Sequence, residues 1–455
     1  MNALFATPNR GTQPKLLTII GSIAMLLVST SSLADGESLL EIYALAKAND
    51  HEFKSQEAIF KATNEAAAIN RAALRPQIRG TVSGSHSNAD TRGSTSQETD
   101  TDRLNYGLTL EQAIINNKAW HTYKQGKVEA AAALATYHAN ELSLIVRSAE
   151  AYFNVLRAQD QLETAKAEEK AQATLLEQTR QRYEVGLISI NDVHETQAAY
   201  DSAVAATISA EASVGIQYDS LTILTGQLHT SIVPLQKNFT ASSPTPASQK
   251  EWVDIALKNN YALQASELTA KATALQAKAA KSDHLPTLTG NLSYTDDNRN
   301  IDTEGFGNTS SDTNTASISL NLNVPLYTGG NLSALERQAA QNAVRRREEF
   351  LLTQRRTIQN TRSLYLSVTS DIAQIKARQQ AIISNESALE ATRAGYDAGT
   401  RDIVDVVNAQ RNLFQAQRDY FDALYSYIIN TLLLKEAAGN LIIKDLELLE
   451  SSLAK

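Results

Sequence analysis

The residues of this 455-residue chain that could do chemistry do not assemble into a reactive set. Its 7 histidines are scattered, and His194-Glu195 lacks the second histidine that would make a zinc-binding helix. With no cysteine there is no disulfide, thiolate metal site, cysteine nucleophile or lipidated N-terminal cysteine. No phosphate loop, nucleotide fingerprint or nucleophile elbow is present, so neither enzyme activity nor a cofactor nor a metal is expected. What does recur is one polar, glycine-bearing segment written twice: YEVGLISINDV from Tyr183 to Val193, and YDAGTRDIVDV from Tyr396 to Val406. In each copy a glycine, Gly186 or Gly399, is placed to end a long helix in the left-handed conformation, and polar residues restart the chain. Asp405 taken alone reads as a solvated aspartate at a helix start.

The elements that position these segments are duplicated too, at a spacing of about 210 residues, which suits an internal duplication and is too long for a solenoid. Leu74-Arg75-Pro76 answers His284-Leu285-Pro286, and Lys47-Ala48-Asn49-Asp50 answers Leu257-Lys258-Asn259-Asn260. Each half reads helix, strand, polar loop, strand, very long helix, break, helix. Glu37 to Leu74 and Lys250 to Leu285 read as the first helices, each stopped by a proline. The segments 117–185 and 332–397 hold no proline, and each predicts a rod of roughly 100 Å at 1.5 Å per residue. Leu142, Ile145, Ala149, Tyr152 and Leu156 follow a coiled-coil spacing, as do Ile358, Thr361, Tyr365, Val368, Ile372 and Ile375.

The expected organisation is a signal peptide over 1–34, a first repeat over 35–228 with its hairpin at 76–115, and a linker at 229–250. A second repeat follows over 251–441, with its hairpin at 286–326, and a tail at 442–455. Arg10 and Lys15 precede an apolar run ending at Val28, too short to span a bilayer and followed by small residues, which predicts export with a mature start near Asp35. The formal charge of −8 argues against nucleic acid as a partner.

The strands carry the membrane prediction. Leu104, Tyr106, Leu108 and Leu110 alternate with polar residues, as do Ile318, Leu320, Leu322 and Val324, giving one apolar and one wet face. Polar loops are expected at 86–103 and 297–315. A strand of about 10 residues tilted near 45° crosses the apolar band of an outer membrane. Four strands cannot close, and an open edge in hydrocarbon leaves backbone groups unpaired, so other copies must complete the barrel. Two copies give eight strands, a barrel filled by its own side chains; three give twelve and a lumen, which the wet face favours.

Five segments together carry a resemblance: AYFNVLRAQD (Ala151 to Asp160), RYEVGLISINDV (Arg182 to Val193), HLPTL (His284 to Leu288), VPLYTGG (Val324 to Gly330) and AGYDAGTRDIVDV (Ala394 to Val406). On these the chain resembles the TolC family of outer-membrane export channels over essentially the whole mature sequence. The resemblance implies a mixed α and β membrane protein, a homotrimer with a 12-stranded outer-membrane β-barrel continued by a long periplasmic α-helical coiled-coil barrel. It also implies an equatorial girdle, with 229–250 and the tail as its material. Function would be that of an exit duct in a Gram-negative cell, joined through a periplasmic adaptor to an inner-membrane transporter and passing small amphiphiles, drugs or secreted polypeptides. The resemblance places a pore constriction at Asp405 and Asn408. Asn408 stands where the family carries a second aspartate, a departure that halves the ring's charge. It also implies a gate-holding network of Arg401, Asp192, Asn191 and Tyr396. The competing readings are a channel for protein secretion only, a trimeric coiled-coil surface protein without transport, and a passive porin; the latter two leave either the hairpins or the rods unexplained.

Overall fold

The computed structural model describes residues 36–92, 97–236 and 239–454. The expected signal peptide, 1–34, lies outside them. The first half runs α1 (Leu39–Asn49), α2 (His51–Asn64), α3 (Ala66–Ala72), β1 (Gln77–Thr91), β2 (Gln97–Ile115), α4 (Asn117–Glu184) and α5 (Ile190–Thr225). The second runs α6 (Gln249–Asn259), α7 (Tyr261–Lys281), β3 (Thr287–Thr303), β4 (Gly307–Asn323), α8 (Asn331–Asp397) and α9 (Ile403–Ala438), and α10 (Ile443–Glu450) follows.

The helices expected to be continuous over 37–74 and 250–285 are broken, and at equivalent places. Asp50 leaves the helical conformation; its carboxylate accepts the Glu52 N–H at 3.0 Å and takes Arg147 Nη2 at 2.6 Å. Its counterpart Asn260 accepts the Leu263 N–H at 2.8 Å and donates to the Ala437 carbonyl at 2.9 Å. Short polar side chains that can bond the next turn favour a cap over a helix interior, and both also anchor to another helix. The break is therefore a property of Asp50 and Asn260 that a count of prolines overlooks.

The four strands form one antiparallel sheet in the order β1-β2-β3-β4, so β1 and β4 are its edges. Register brings the apolar sets together: Ile78 faces Leu110, Val82 faces Tyr106, Leu108 faces Tyr294, Leu110 faces Leu292, and Leu292 faces Ile318. The opposite face carries Ser, Thr and Asn, among them Ser293 and Ser317, whose hydroxyls meet at 2.7 Å. The apolar side chains stay open to the surroundings, Ile318 at 84% and Leu322 at 65% exposure. A face this apolar and this uncovered fits lipid, not water.

The polar segments expected as loops at 86–103 and 297–315 are largely strand. β1 and β2 remain paired out to Thr91 and Gln97, and β3 and β4 out to Thr303 and Gly307. Ladder hydrogen bonds belong to the backbone, so Ser, Thr, Asn and Asp extend a hairpin above the apolar band without breaking it. Arg103 and Asp297 tie this upper part across strands with bonds of 2.6 and 2.7 Å.

The rods α4 and α8 have 68 and 67 residues, about 100 Å each. α5 packs back along α4 and α9 along α8. The two heptad seams enter one large core, where Ala149, Tyr152 and Val368 are fully buried. Around that core, the segment after α5 meets both the residues before α1 and those after α10. Ile232 bridges Glu37, Leu235 bridges Leu453, and the Tyr152 hydroxyl donates to the Val233 carbonyl at 2.6 Å.

Candidate functional site

Far from the sheet, both rods end in the same way. Gly186 and Gly399 each have φ of +75°, a conformation without penalty only for glycine. Around Gly186 the Leu187 N–H reaches the Arg182 carbonyl and the Gly186 N–H the Tyr183 carbonyl, both at 2.9 Å. Around Gly399 the Thr400 N–H reaches Gly395 at 2.9 Å and the Gly399 N–H reaches Tyr396 at 3.0 Å. Both are Schellman ends. The chain then restarts on a carboxylate in each case, at different positions: Asp192, third in its helix, accepts the Ser189 N–H at 3.1 Å, and the N-cap Asp402 accepts the Asp405 N–H at 2.9 Å. A small apolar core of Leu175, Leu389, Ile403, Val406 and Val407 holds the two turns against each other, with Tyr396 packed on it.

Burying Ile403, Val406 and Val407 leaves Asp405 and Asn408 together on the opposite face of the first turns of α9, with Arg401 in the turn just before it. Arg401 Nη1 lies 3.4 Å from Asp405 Oδ2. Asn191 and Asp192, expected as its partners, do not bond it within the chain: Asp192 is occupied as a cap, and Asn191 is exposed. Nor does Tyr396 bond Arg401. Its ring lies under Arg182 instead, with the guanidinium 5.0 Å from the centroid.

Arg182 was missed as a site residue, although the motif quoted above begins with it. Its Nη2 donates to Asp397 Oδ1 at 2.6 Å, joining the end of α4 to the end of α8. The bond to that carboxylate holds the guanidinium above its usual range. A signal existed in the sequence: opposite charges flank the two equivalent tyrosines, Arg182 before Tyr183 and Asp397 after Tyr396. Gly395, the counterpart of Arg182, was missed as well. A Cβ there would sit 2.8 Å from Arg401 Cγ, so glycine is what lets the arginine stem lie along α8.

Among the described residues, no group of three or more His, Asp or Glu could hold a metal, and no helix is long and apolar enough to cross a membrane. A sheet with one lipid-compatible face and two open edges, continued by helical rods that end in polar turns, defines a subunit of an outer-membrane channel. The chain belongs to the outer membrane efflux protein family, whose profile matches residues 42–227 and 252–440. It is 37% identical over 432 residues to the outer membrane protein TolC of Vibrio cholerae, covering 95% of this chain and 97% of that protein. Against TolC of Escherichia coli the identity is 32% over 456 residues, covering 97% and 90%. The solved Campylobacter jejuni outer membrane channel CmeC shares the fold with a TM-score of 0.76 over 98% of both chains, at 18% identity. The protein is a non-enzymatic efflux channel of the Gram-negative outer membrane.

Proposed function

We propose that three copies of the chain join edge to edge into a twelve-stranded barrel whose lumen continues through a helical tube into the periplasm. The tube ends at the turns of Gly186 and Gly399, where Asp405 forms a ring of three carboxylates and Asn408 a second, uncharged ring. The observation that carries this reading is the sheet: it is apolar on one face, wet on the other, and unpaired along β1 and β4. Each unpaired backbone group in hydrocarbon costs several kcal/mol, so closure through other copies is strongly favoured. The wet face asks for a water-filled lumen, which eight strands leave no room for.

In this reading 35–228 and 251–441 are equivalent structural repeats, while 229–250 and 442–455 gird the helices at mid-height. The duct receives cargo from an inner-membrane transporter through a periplasmic adaptor, and the transporter supplies the energy. Small amphiphiles and secreted polypeptides both fit a wet lumen, and specificity lies with the transporter. Native mass spectrometry of the detergent-extracted protein, followed by planar-bilayer recording, tests the assembly. Three chains forming a cation-preferring pore are expected; a single chain or a pair without conductance would overturn the proposal.

A further inference from the structure

We infer that a cavity between α4, α8 and α9, on the sheet side of the tip turns, is a binding site for an amphiphilic organic anion. The cavity measures about 520 Å3, within the range of small-molecule sites. All of its lining residues belong to one chain, and its remaining side is open.

Two kinds of group mark it as more than a packing gap. At its floor lies Gln410, 1% exposed, with neither the amide nitrogen nor the amide oxygen bonded. Buried polar groups in folded proteins nearly always have partners, and the two unpaired amide atoms of Gln410 beside one cavity call for a ligand that supplies them. At the rim stand Lys170 and Arg393, both exposed and without an ion pair among the described residues, beside Arg182. The one carboxylate of the lining, Asp397, is already taken by Arg182.

The cavity thus offers cations at its mouth, two donors and an acceptor within, and apolar contact along Leu175 and Val406. An acidic head at Lys170 and Arg393, an apolar body, and a distal hydroxyl able both to accept from and donate to the Gln410 amide would match these groups.

The probe is 6-hydroxynaphthalene-2-carboxylate, soluble enough to avoid partitioning, titrated calorimetrically into the full-length assembly held in amphipol. Saturable binding with one site per chain is expected. Lys170→Gln combined with Arg393→Gln, both on the exposed rim, should weaken it about tenfold or more, and added salt should do the same. Gln410→Leu should abolish binding while leaving the melting temperature unchanged or raised, since it removes an unpaired amide. Neutral 2-naphthol should bind about tenfold more weakly or worse. Absence of saturable heat, equal affinity for 2-naphthol, or rim-variant affinity equal to that of the parent would each overturn the inference.

Discussion

Replacing Arg182 by alanine removes the tie closest to the tip between the first long rod and the second. The guanidinium makes one ion pair, at 2.6 Å to Asp397, and one cation–π contact, at 5.0 Å to Tyr396. Side-chain exposures of 39% and 63% place the pair in screening solvent, so it contributes about 0.2–1 kcal/mol. The cation–π contact adds about 0.5–1 kcal/mol at such a site. Together this is about 1–2 kcal/mol per chain. Three chains acting together would lose about 3–6 kcal/mol, which at 1.4 kcal/mol per factor of ten moves the closed-to-open ratio by about 10²- to 10⁴-fold. Arg401 differs: its pair with Asp405 spans 3.4 Å from the turn to the first turn of α9, is exposed on both sides, contributes about 0.2–1 kcal/mol, and joins no two helices. Single-channel recording in planar bilayers should therefore show a large rise in resting conductance for Arg182→Ala. A smaller rise is expected for Arg182→Lys, which keeps the charge and loses the planar stack. Arg401→Ser should mainly alter ion preference. Resting conductance of Arg182→Ala equal to that of the parent, with Arg401→Ser opening the pore, would refute the reasoning.

Other consequences are as direct. Asp405→Asn should abolish cation preference in reversal-potential measurements, and Asn408→Asp should increase block by divalent cations, because a second carboxylate ring deepens the well. Burial pushes the Asp160 carboxyl above the usual carboxylate range, although the Tyr425 hydroxyl donates to it at 2.5 Å and opposes the shift. A folded pKa above the unfolded one means that this group's contribution is complete below the unfolded pKa, about 4, and is lost as pH rises through the folded value. The melting temperature of the parent should therefore gain on that of Asp160→Asn as pH falls from 7 toward 4; a parent that loses ground on acidification would show the carboxylate to be held ionised. Ile318→Arg, at the middle of the lipid-facing set, should cost about 2–4 kcal/mol in urea unfolding from lipid, whereas Ser319→Arg on the wet face should cost far less. Equal costs would mean that the two faces are assigned wrongly.

The long elements were legible because their signals are cumulative. Dozens of residues without proline, with apolar positions at heptad spacing, leave little alternative to the rods, and strict alternation at Leu104 to Leu110 fixes which strand face is apolar. Single residues that act against their surroundings were harder to read. Asp50 and Asn260 each break a helix by capping the next one, a choice supported by their bonds to Arg147 and Ala437 in distant segments. The upper hairpins read as loops because their side chains are polar, while what holds them is backbone pairing that composition does not report. At the tip, the two glycines and Asp405 announced themselves by duplication. Arg182 and Gly395 did not, because the duplicated copies differ at that position: Arg182 bonds Asp397 across the halves, while Gly395 makes room for Arg401 within the second.

The central claim is that β1 of one copy pairs with β4 of the next until three copies close. The chain has no cysteine, so introduced pairs report cleanly. Ser83→Cys on β1, combined in turn with single cysteines along Thr309 to Leu322 of β4, should yield under oxidation at one or two positions a covalent species of three chains and no more. Covalent ladders that stop at two chains or run past three, or cysteines that never cross-link at any position, would contradict it.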